Sequence, residues 1–251
     1  MEPNFRRLDA VSELMDSGPY QEPEIRGNLA DLRFFNHRFG GTRLVLHEAA
    51  ALLAGLPDAP RSLRVLDVAA GSADIAEEMA RWGRRRGVEV EAEALDANPD
   101  VLDEARRWLQ RRRRRRGRLR PGDVLPPVRL VRGDALRLPH TDRSVDLVIC
   151  SNFLHHLEAP EASRALSEMR RVARRGVVAV DLARGRAAWL LVWLLTRLTT
   201  SNRLTRHDGP LSVLRAYTPA ELLDLAAEAG MRKAAVRRVG PVRMALRWRA
   251  A

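Results

Sequence analysis

Apolar residues along the chain alternate between helical spacing and short continuous runs. Residues 28–56 carry apolar side chains at helical spacing, with Gly40 and Gly41 as a break, and this predicts two helices ahead of the first strand. A short apolar run at 63–68 then ends in an acidic residue and small residues, and a helical stretch at 75–85 follows. This order predicts a strand, a tight turn and a helix.

The same alternation continues through the middle of the chain. Further strands are predicted at 88–95, 128–131, 145–150 and 176–180, and helices at 99–110 and 162–173. Strands that alternate with helices indicate a parallel sheet covered on both faces. The pattern therefore predicts an α/β fold with a doubly wound, mostly parallel sheet.

The last third of the chain predicts a helical region at 181–200 and a polar, loop-like segment at 201–217. Thr218 is placed as a helix N-cap, with Pro219 at the first helical position and Glu221 completing a capping box. Gly230 ends that helix, and 232–247 supplies two last strands, which makes seven. The arginine run 111–116 and the glycines and prolines after it predict a solvated helix end and loop, at the edge of the sheet opposite the ligand.

Composition predicts one folded domain and raises a question about charge. With 251 residues, 45% of them hydrophobic and 30% charged, the chain fits one large globular domain. The net charge of +12 would suit nucleic acid or an anionic membrane. However, Lys233 is the only lysine, and a GC-rich genome produces such arginine bias without any selection for binding. Nucleic acid is therefore not the expected partner.

The lone Cys150 excludes an intramolecular disulfide and a cysteine-cluster zinc site. The segment 1–16 lacks the apolar core of a secretory signal, so a cytoplasmic location is predicted. The longest apolar stretch, 187–195, is too short to span a bilayer and is interpreted as a buried or ligand-covering helix. Peripheral membrane contact stays open.

The strongest chemical signal is the turn of small residues that follows the first strand, at 69–73. Such a turn lets a ligand approach the backbone, and the next helix offers free N–H groups to an anionic group. A dinucleotide site would need a third glycine where Asp74 stands, and a carboxylate there repels a pyrophosphate. A zwitterionic amino-acid group meets no such repulsion.

Two later segments extend this signal. Asp96 closes the second strand, where a carboxylate can accept hydrogen bonds from both ribose hydroxyls. The alternative, that Asp96 caps the next helix, is less favoured because Asn98 is better placed for it. Residues 133–139 follow the third strand, and 144–157 contain the fourth strand and the sequence Asn-Phe-Leu-His-His-Leu.

In this order, residues 67–73, Asp96, 133–139 and 146–157 resemble the successive motifs of class I S-adenosylmethionine-dependent methyltransferases. The resemblance covers about 63–181 and is nearest to the ubiquinone/menaquinone-biosynthesis-like small-molecule enzymes. It implies a Rossmann-like methyltransferase fold and one domain, divided into a helical cap (1–60), a cofactor-binding core (61–183), a lid and acceptor region (184–217) and a C-terminal helix with strands (218–251).

The resemblance also implies roles for individual residues. Backbone contacts to the methionine part of S-adenosylmethionine would come from the first turn, ribose contacts from Asp96, and contacts to adenine from Asp134 and the N–H of Ala135. Asn152 and Phe153 would line the cofactor at the end of the fourth strand. The full predicted cofactor set is Asp67, Ala69, Gly71, Ala73, Asp96, Ala97, Asp134, Ala135, Asn152 and Phe153. Ala69 and Ala73 depart from the glycines that are frequent in this family.

The acceptor is predicted to be small, and the lids are similar to those that cover acceptors in such enzymes. Trp189, Trp193 and Phe35 in those lids indicate a hydrophobic, phenolic or polyketide-like acceptor, although ordinary core packing explains them equally well. The segment 206–217 is similar to bacterial members linked to polyketide or phenolic-lipid pathways. Secondary metabolism is the resulting expectation.

Three histidines are candidates for a general base that would deprotonate the acceptor: His155, His156 and His207. Packing at a helix start is the favoured explanation for the first two, and His207 is placed in a lid loop. His37, His47 and His140 show no metal-ligand spacing, so no metal site is predicted.

Methyl transfer to oxygen or carbon is the resulting expectation, and two alternatives remain open. An RNA methyltransferase could use the arginine-rich segment 111–120 to hold phosphates, with strong salt dependence. The absence of a Pro-Cys pair, and of the tetrapeptide typical of nucleobase amino-methyltransferases, argues against it. The second alternative is a noncatalytic module that binds S-adenosylmethionine.

Overall fold

A computed structural model describes residues 5–54, 60–116 and 127–250. Within these ranges the chain forms one seven-stranded sheet, with helices on both faces, in the strand order β3-β2-β1-β4-β5-β7-β6. The strands are β1 (Ser62–Val68), β2 (Glu89–Asp96), β3 (Arg129–Arg132), β4 (Val145–Ser151), β5 (Ala173–Leu182), β6 (Ala235–Val239) and β7 (Arg243–Arg249). The predicted doubly wound α/β fold is confirmed.

The described helices are α1 (Leu14–Ser17), α2 (Glu22–Arg38), α3 (Gly41–Ala54), α4 (Asp74–Arg84), α5 (Pro99–Arg116), α6 (Ala159–Val172), α7 (Arg186–Thr199), α8 (Arg203–Arg215) and α9 (Pro219–Glu228). Strands β1 to β5 pair in parallel, whereas β7 is antiparallel to both β5 and β6. Among the described residues no helix has the length and apolar character needed to cross a membrane.

Alternate residues of the parallel strands point to opposite faces, and each face has its own core. Along β1, Leu63 and Val65 pack on one side of the sheet, while Leu66 and Val68 pack on the other. All four side chains are at most 1% exposed. This burial on both faces explains why the sequence shows short continuous apolar runs rather than strict alternation.

Several predicted boundaries need correction. A third helix, the short α1, precedes the two predicted at the N-terminus. Helix α6 begins at Ala159 rather than 162, because Glu158 and Glu161 form a capping box. Strand β5 begins at Ala173, where the prediction had the helix end. His155 and His156 lie in a single 3-10 turn rather than at the start of an α-helix.

The predicted loop at 201–217 is wrong, because α8 occupies most of it. Asn202 caps this helix by accepting a hydrogen bond of 3.1 Å from the Thr205 N–H. The helix has a buried side, but that side carries the polar residues Thr205, Asp208 and Ser212 as well as Leu204 and Val213. Hydrophobic spacing cannot reveal a helix whose buried side is partly polar.

The arginine run also differs from its prediction. Helix α5 continues to Arg116 instead of ending at Gln110, so the run is helical. The expected loop at 117–126 lies outside the described residues. Arg112 forms an ion pair of 2.9 Å with Glu77, which lies in the first turn of α4. Helix α4 begins directly after the turn that follows β1, at the edge of the sheet where the parallel strands end. The run was expected at the opposite edge, but its start therefore lies near this one.

Candidate functional site

The carboxyl ends of the parallel strands meet at one edge of the sheet and line a cavity of about 930 Å³. Ligands of open α/β sheets bind at this edge, because strand ends and helix beginnings converge there. Nine of the ten predicted cofactor residues line the cavity: Asp67, Ala69, Gly71, Asp96, Ala97, Asp134, Ala135, Asn152 and Phe153. The tenth, Ala73, does not.

Every second residue of the turn after β1 has a positive φ angle. Ala69, Gly71 and Ala73 have φ angles of +53°, +53° and +58°, in the left-handed region that favours glycine. Ala73 is fully buried in the core beside α4, so its methyl group faces away from the cavity. The contact expected from Ala73 is through its backbone, so it stays a prediction, while its side chain packs behind the turn.

Asp67 is buried near the end of β1 and contributes a carboxylate to the cavity wall. Its Oδ2 atom is buried and has no hydrogen-bond partner among the described residues. Burial raises the pKa of Asp67 well above its usual value, and the nearby charge of Asp74 adds to this rise. A buried acceptor without a partner suits a ligand that brings a donor, such as the ammonium group of an amino acid.

Asp96 lies at the end of β2 and is anchored by the backbone. Its Oδ2 accepts a hydrogen bond of 3.0 Å from the Gly71 N–H, and its Oδ1 accepts one of 3.0 Å from the Asn98 N–H. Burial raises the pKa of Asp96, although these hydrogen bonds oppose the rise. Each carboxylate oxygen can accept a second hydrogen bond, so the side chain can still receive two ribose hydroxyls.

The loops after β3 and β4 form the remaining polar wall. Asp134 is exposed, and its Oδ1 accepts a hydrogen bond of 2.8 Å from the Leu136 N–H, while Ala135 is buried beside it. After β4, Asn152 adopts a φ of +52°, and its amide connects two other elements. It donates to Asn36 of α2 at 3.0 Å and accepts from Arg243 of β7 at 3.2 Å.

Apolar side chains from α2 and α7 cover the cavity. The residues that line this roof are Leu29, Leu32 and Phe35 of α2, Phe39 directly after it, and Leu191, Val192 and Leu195 of α7. The outer side of α7 is also apolar, and Leu190 and Leu198 on it are 56% and 75% exposed. The cavity therefore joins a polar floor to an apolar roof.

His155 and His156 line the same cavity and are each held by a carboxylate. Nδ1 of His155 lies 2.6 Å from Oδ1 of Asp181, and Nδ1 of His156 lies 2.6 Å from Oδ2 of Asp16. The two rings lie against each other with centroids 4.3 Å apart and planes tilted by 32°. On the far side of the rings, Nε2 of His155 lies 3.5 Å from Oε1 of Glu13, and Nε2 of His156 lies 3.9 Å from Oε2.

The charges in this cluster are strongly coupled. Burial opposes protonation of His156, but Glu13 and Asp16 outweigh it and raise the pKa of His156 to about 9. Burial likewise opposes ionisation of Asp181, but the adjacent His155 lowers the pKa of this carboxyl overall. In the cluster without a ligand, His156 thus carries a proton at neutral pH and is not ready to accept one.

His207, the third candidate base, is placed differently from its prediction. It lies on α8 rather than in a loop, its side chain is 50% exposed, and its Nδ1 lies 2.8 Å from Oδ1 of Asp208. It does not line the cavity. The reason is the helical register, because Asp208 and Gly209 occupy the side of α8 that faces the cavity.

The polar lining residues that sequence reasoning missed include Glu13, Asp16, Asn36 and Arg243. Arg243 could have been found from topology, since an antiparallel strand starts at the edge where its parallel neighbours end. In the sheet it stands opposite Leu182 at the end of β5, and burial lowers the pKa of its guanidinium. Glu13 and Asp16 lie in a segment with no local motif, so no sequence signal marks them.

Comparisons with known proteins agree with this arrangement. A family model described as "Methyltransferase domain" matches residues 65–176. A demethylmenaquinone methyltransferase of Deinococcus radiodurans is 35% identical over 127 residues, which are 51% of this chain and 44% of that protein. A ubiquinone/menaquinone biosynthesis C-methyltransferase of Idiomarina loihiensis is 30% identical over 116 residues, covering 46% of this chain and 40% of that protein.

The chain thus matches less than half the length of these curated relatives. Among solved structures, human N-acetylserotonin methyltransferase in complex with S-adenosylmethionine aligns with a TM-score of 0.61 and 18% identity. This alignment covers 91% of this chain and 56% of the human protein. At that identity the likeness concerns the fold.

Proposed function

The chain carries a methyltransferase domain of the class I, S-adenosylmethionine-dependent family, and from this premise we propose that it transfers a methyl group from S-adenosylmethionine to a small hydrophobic acceptor. The observation that carries the proposal is the convergence of four motif loops on one cavity with a polar floor and an apolar roof. The acceptor we favour is a phenol, a quinol or a polyketide-like enol, methylated on oxygen or carbon.

The residues on the polar floor fit the cofactor. The unpartnered Oδ2 of Asp67 would receive the ammonium of the methionine part, and the left-handed turn at Ala69 and Gly71 leaves room for its backbone. Asp96 would accept the ribose hydroxyls, Asp134 and Ala135 would contact adenine, and Ala97 would line the same wall.

When bound, S-adenosylmethionine supplies an electrophilic methyl group on its sulfonium. The work left to this chain is to align the acceptor with that methyl and to exclude water. The apolar residues Phe35 and Leu195 of the roof would hold an apolar acceptor ring and cover it. Arg243 and Asn152 on the polar wall would orient a hydroxyl of the acceptor.

The two curated relatives support a quinone-like acceptor, since their names assign them to menaquinone and ubiquinone biosynthesis. The exposed apolar side of α7 supports peripheral membrane contact, because a lipid-tailed acceptor would reach the cavity from a bilayer. A cytoplasmic location and a role in secondary metabolism are parts of the same proposal.

Calorimetric titration of the full chain with S-adenosylmethionine, its demethylated product and NAD tests the first step. We expect the first two to bind and NAD to bind much more weakly, because the carboxylate of Asp74 lines the cavity beside the turn where a pyrophosphate would sit. Tighter binding of NAD would overturn the proposal.

The second step is tested by transfer of a radiolabelled methyl group to a panel of phenols and hydroxynaphthoquinones, with RNA as a further substrate. Transfer to a phenol or quinol supports the proposed activity, and transfer to RNA alone overturns it. Binding of the cofactor without transfer to any acceptor would instead favour the noncatalytic module.

A further inference from the structure

Two histidines and one glutamate converge on a single point at the cavity wall. One ligand atom from each of Glu13, His155 and His156 lies within 4.8 Å of the others. Glu13 and His155 are 3% and 2% exposed, and all three residues line the cavity. We propose that these residues form a binding site for one divalent transition-metal ion.

The hydrogen bonds of the two rings fix which nitrogen is available. Asp181 and Asp16 bond to the Nδ1 atoms at 2.6 Å, and an ionised carboxylate can only accept, so Nδ1 carries the proton in each neutral ring. In the metal-bound form both rings are neutral, and their Nε2 lone pairs then face Glu13. Histidines that bind metals almost always show this arrangement, with the other ring nitrogen donating to a carboxylate or carbonyl.

The distances suit a metal ion between the three groups. The Nε2 atoms of His155 and His156 lie 3.5 Å and 3.9 Å from the two oxygens of Glu13. Tetrahedral coordination with bonds of about 2.1 Å separates neighbouring ligand atoms by about 3.4 Å, and these values are close to it. They are longer than a good N–H···O hydrogen bond, which extends to about 3.2 Å.

Two ring nitrogens and a carboxylate face one another at this point. Without a metal, the proton on His156 supplies positive charge between them. The guanidinium of Arg215 lies close by, donating to the carbonyls of His155 and His156 at 3.0 Å and 2.7 Å. A shared metal ion would take the place of the His156 proton, because a ring nitrogen binds a metal only when it carries no hydrogen.

The surrounding structure holds the third ligand in place. The Ser212 hydroxyl donates a hydrogen bond of 2.8 Å to Oε1 of Glu13. Asp208 accepts hydrogen bonds from the N–H groups of Leu14 and Met15 at 2.9 Å and 3.1 Å, which fixes α1 against α8. The ligand from the N-terminal segment is therefore as firmly positioned as the histidines after β4.

The ligand set indicates the class of metal. Two imidazoles and one carboxylate suit Zn²⁺, Fe²⁺ or Co²⁺, whereas Mg²⁺ and Ca²⁺ prefer oxygen ligands alone. Three protein ligands leave at least one coordination position open, and the cavity adjoins it. In this position the metal would bind an oxygen of the acceptor, and this last clause rests on the proposed function.

Metal binding is tested on the full chain after treatment with a chelator, by titration with Co²⁺ followed through its visible spectrum. We expect one equivalent to bind with a tetrahedral or five-coordinate absorption band. The variants H156A and E13Q should remove this binding. D16N removes no ligand, but it should weaken the affinity about 10–100-fold, as the loss of an outer partner does.

His47→Ala is the matched control, since His47 is an exposed histidine beside a glutamate, as the pair His47 and Glu48 shows. Circular dichroism checks that each variant folds. A protein that binds no Co²⁺, or variants at 13, 16 and 156 that bind it as tightly as the H47A control, would overturn the site. A Co²⁺ affinity weakened about 10–100-fold in D16N, with an intact fold, separates a metal site from a merely structural cluster.

Binding of acceptor oxygen is tested with 4-nitrocatechol, whose absorption shifts when its oxygens bind a metal. We expect the shift with the Zn²⁺-loaded protein and not with the H156A variant treated with the same amount of Zn²⁺. Metal binding without this shift overturns the acceptor clause alone. Titration with S-adenosylmethionine is run separately, so failure of the methyltransferase proposal is distinguished from failure of the metal site.

Discussion

The Gly71 N–H donates a hydrogen bond of 3.0 Å to Oδ2 of Asp96, so the turn after β1 is fastened to the end of β2. The Ala70 N–H adds a second link by donating to the Leu95 carbonyl at 3.0 Å. One carboxylate therefore has two tasks in the proposed site. It shapes the turn that would hold the methionine part, and it faces the ribose.

Substitution of Asp96 tests both tasks. We expect Asp96→Ala to weaken binding of S-adenosylmethionine by about 1.5–3 kcal/mol, the usual value of hydrogen bonds to a charged group. Asp96→Asn keeps one acceptor oxygen and should lose less. Isothermal calorimetry measures both, with Asp103→Ala on the exposed side of α5 as the control. Equal affinity in wild type and Asp96→Ala would place the ribose elsewhere.

The alanines of the turn carry backbone strain that glycine would relieve. Ala69 has a φ of +53°, and an L-residue pays about 1–2 kcal/mol in this region. We expect Ala69→Gly to leave the free energy of unfolding unchanged or to raise it by about 1 kcal/mol. Ala50→Gly, in the middle of α3, is the contrasting control and should lower it by about 0.5–1 kcal/mol. Urea denaturation compares them, and a marked loss at 69 would contradict the assigned strain.

The floor of the site could be predicted from sequence, because each of its motifs ends a strand. The turn at Gly71 and the carboxylate of Asp96 are read from local residue order, and parallel topology brings them together. The other walls depend on contacts between distant segments. Glu13 reaches His155 only because α8 holds α1, and the buried side of α8 is itself partly polar. Hydrophobic spacing carries no signal for either fact.

The buried hydroxyl of Tyr217 leads us to expect a loss of stability at high pH. Burial raises the pKa of Tyr217 to about 12, and its hydroxyl donates a hydrogen bond of 2.7 Å to the Leu157 carbonyl. An unfolded tyrosine titrates near about 10. Since the folded chain holds the proton more tightly, this contribution is complete below about pH 10 and is lost as the pH rises towards about 12.

Urea denaturation between pH 8 and pH 11.5 measures this effect. Tyr217→Phe should lower the free energy of unfolding by about 0.5–1.5 kcal/mol at pH 8, through the lost hydrogen bond. Its stability should then fall less steeply than that of the wild type above about pH 10. Parallel curves for the two proteins would show that another group governs the alkaline loss.

The exposed apolar side of α7 predicts binding to anionic vesicles. Leu190 and Leu198 are 56% and 75% exposed, and Arg186 and Arg197 lie on the same helix. We expect co-sedimentation with vesicles of mixed neutral and anionic lipid, and a clear reduction in Leu190→Gln/Leu198→Gln. Leu223→Gln is the control, because Leu223 is also an exposed leucine, at 42%, but lies on another helix, α9. Equal sedimentation of both variants would contradict membrane contact through α7.

The arginines of the run 111–116 differ in their surroundings, so a structural role and a phosphate-binding role can be tested separately within one helix. Arg112 forms an ion pair of 2.9 Å with the buried Glu77, and its guanidinium lies 5.0 Å from the centroid of the Trp108 ring. Arg113 and Arg114 are exposed. Arg112 therefore links α5 to α4, whereas Arg113 and Arg114 face solvent.

We expect Arg112→Ser to lower the free energy of unfolding by about 1–2 kcal/mol, because Glu77 keeps only its second partner, Arg81. Arg113→Ser/Arg114→Ser should change it by less than about 0.5 kcal/mol. Neither substitution should alter affinity for S-adenosylmethionine, since these side chains do not line the cavity. Denaturation measures the free energy of unfolding, and calorimetry measures the affinity for S-adenosylmethionine.

If RNA were the substrate, Arg113→Ser/Arg114→Ser would make the plot of log binding constant against log salt concentration less steep. The slope would change by about 0.7 for each phosphate left without its arginine, and methyl transfer would fall as well. Unchanged transfer to a small acceptor in that variant is the result we expect, because the exposed arginines have no place in the proposed chemistry.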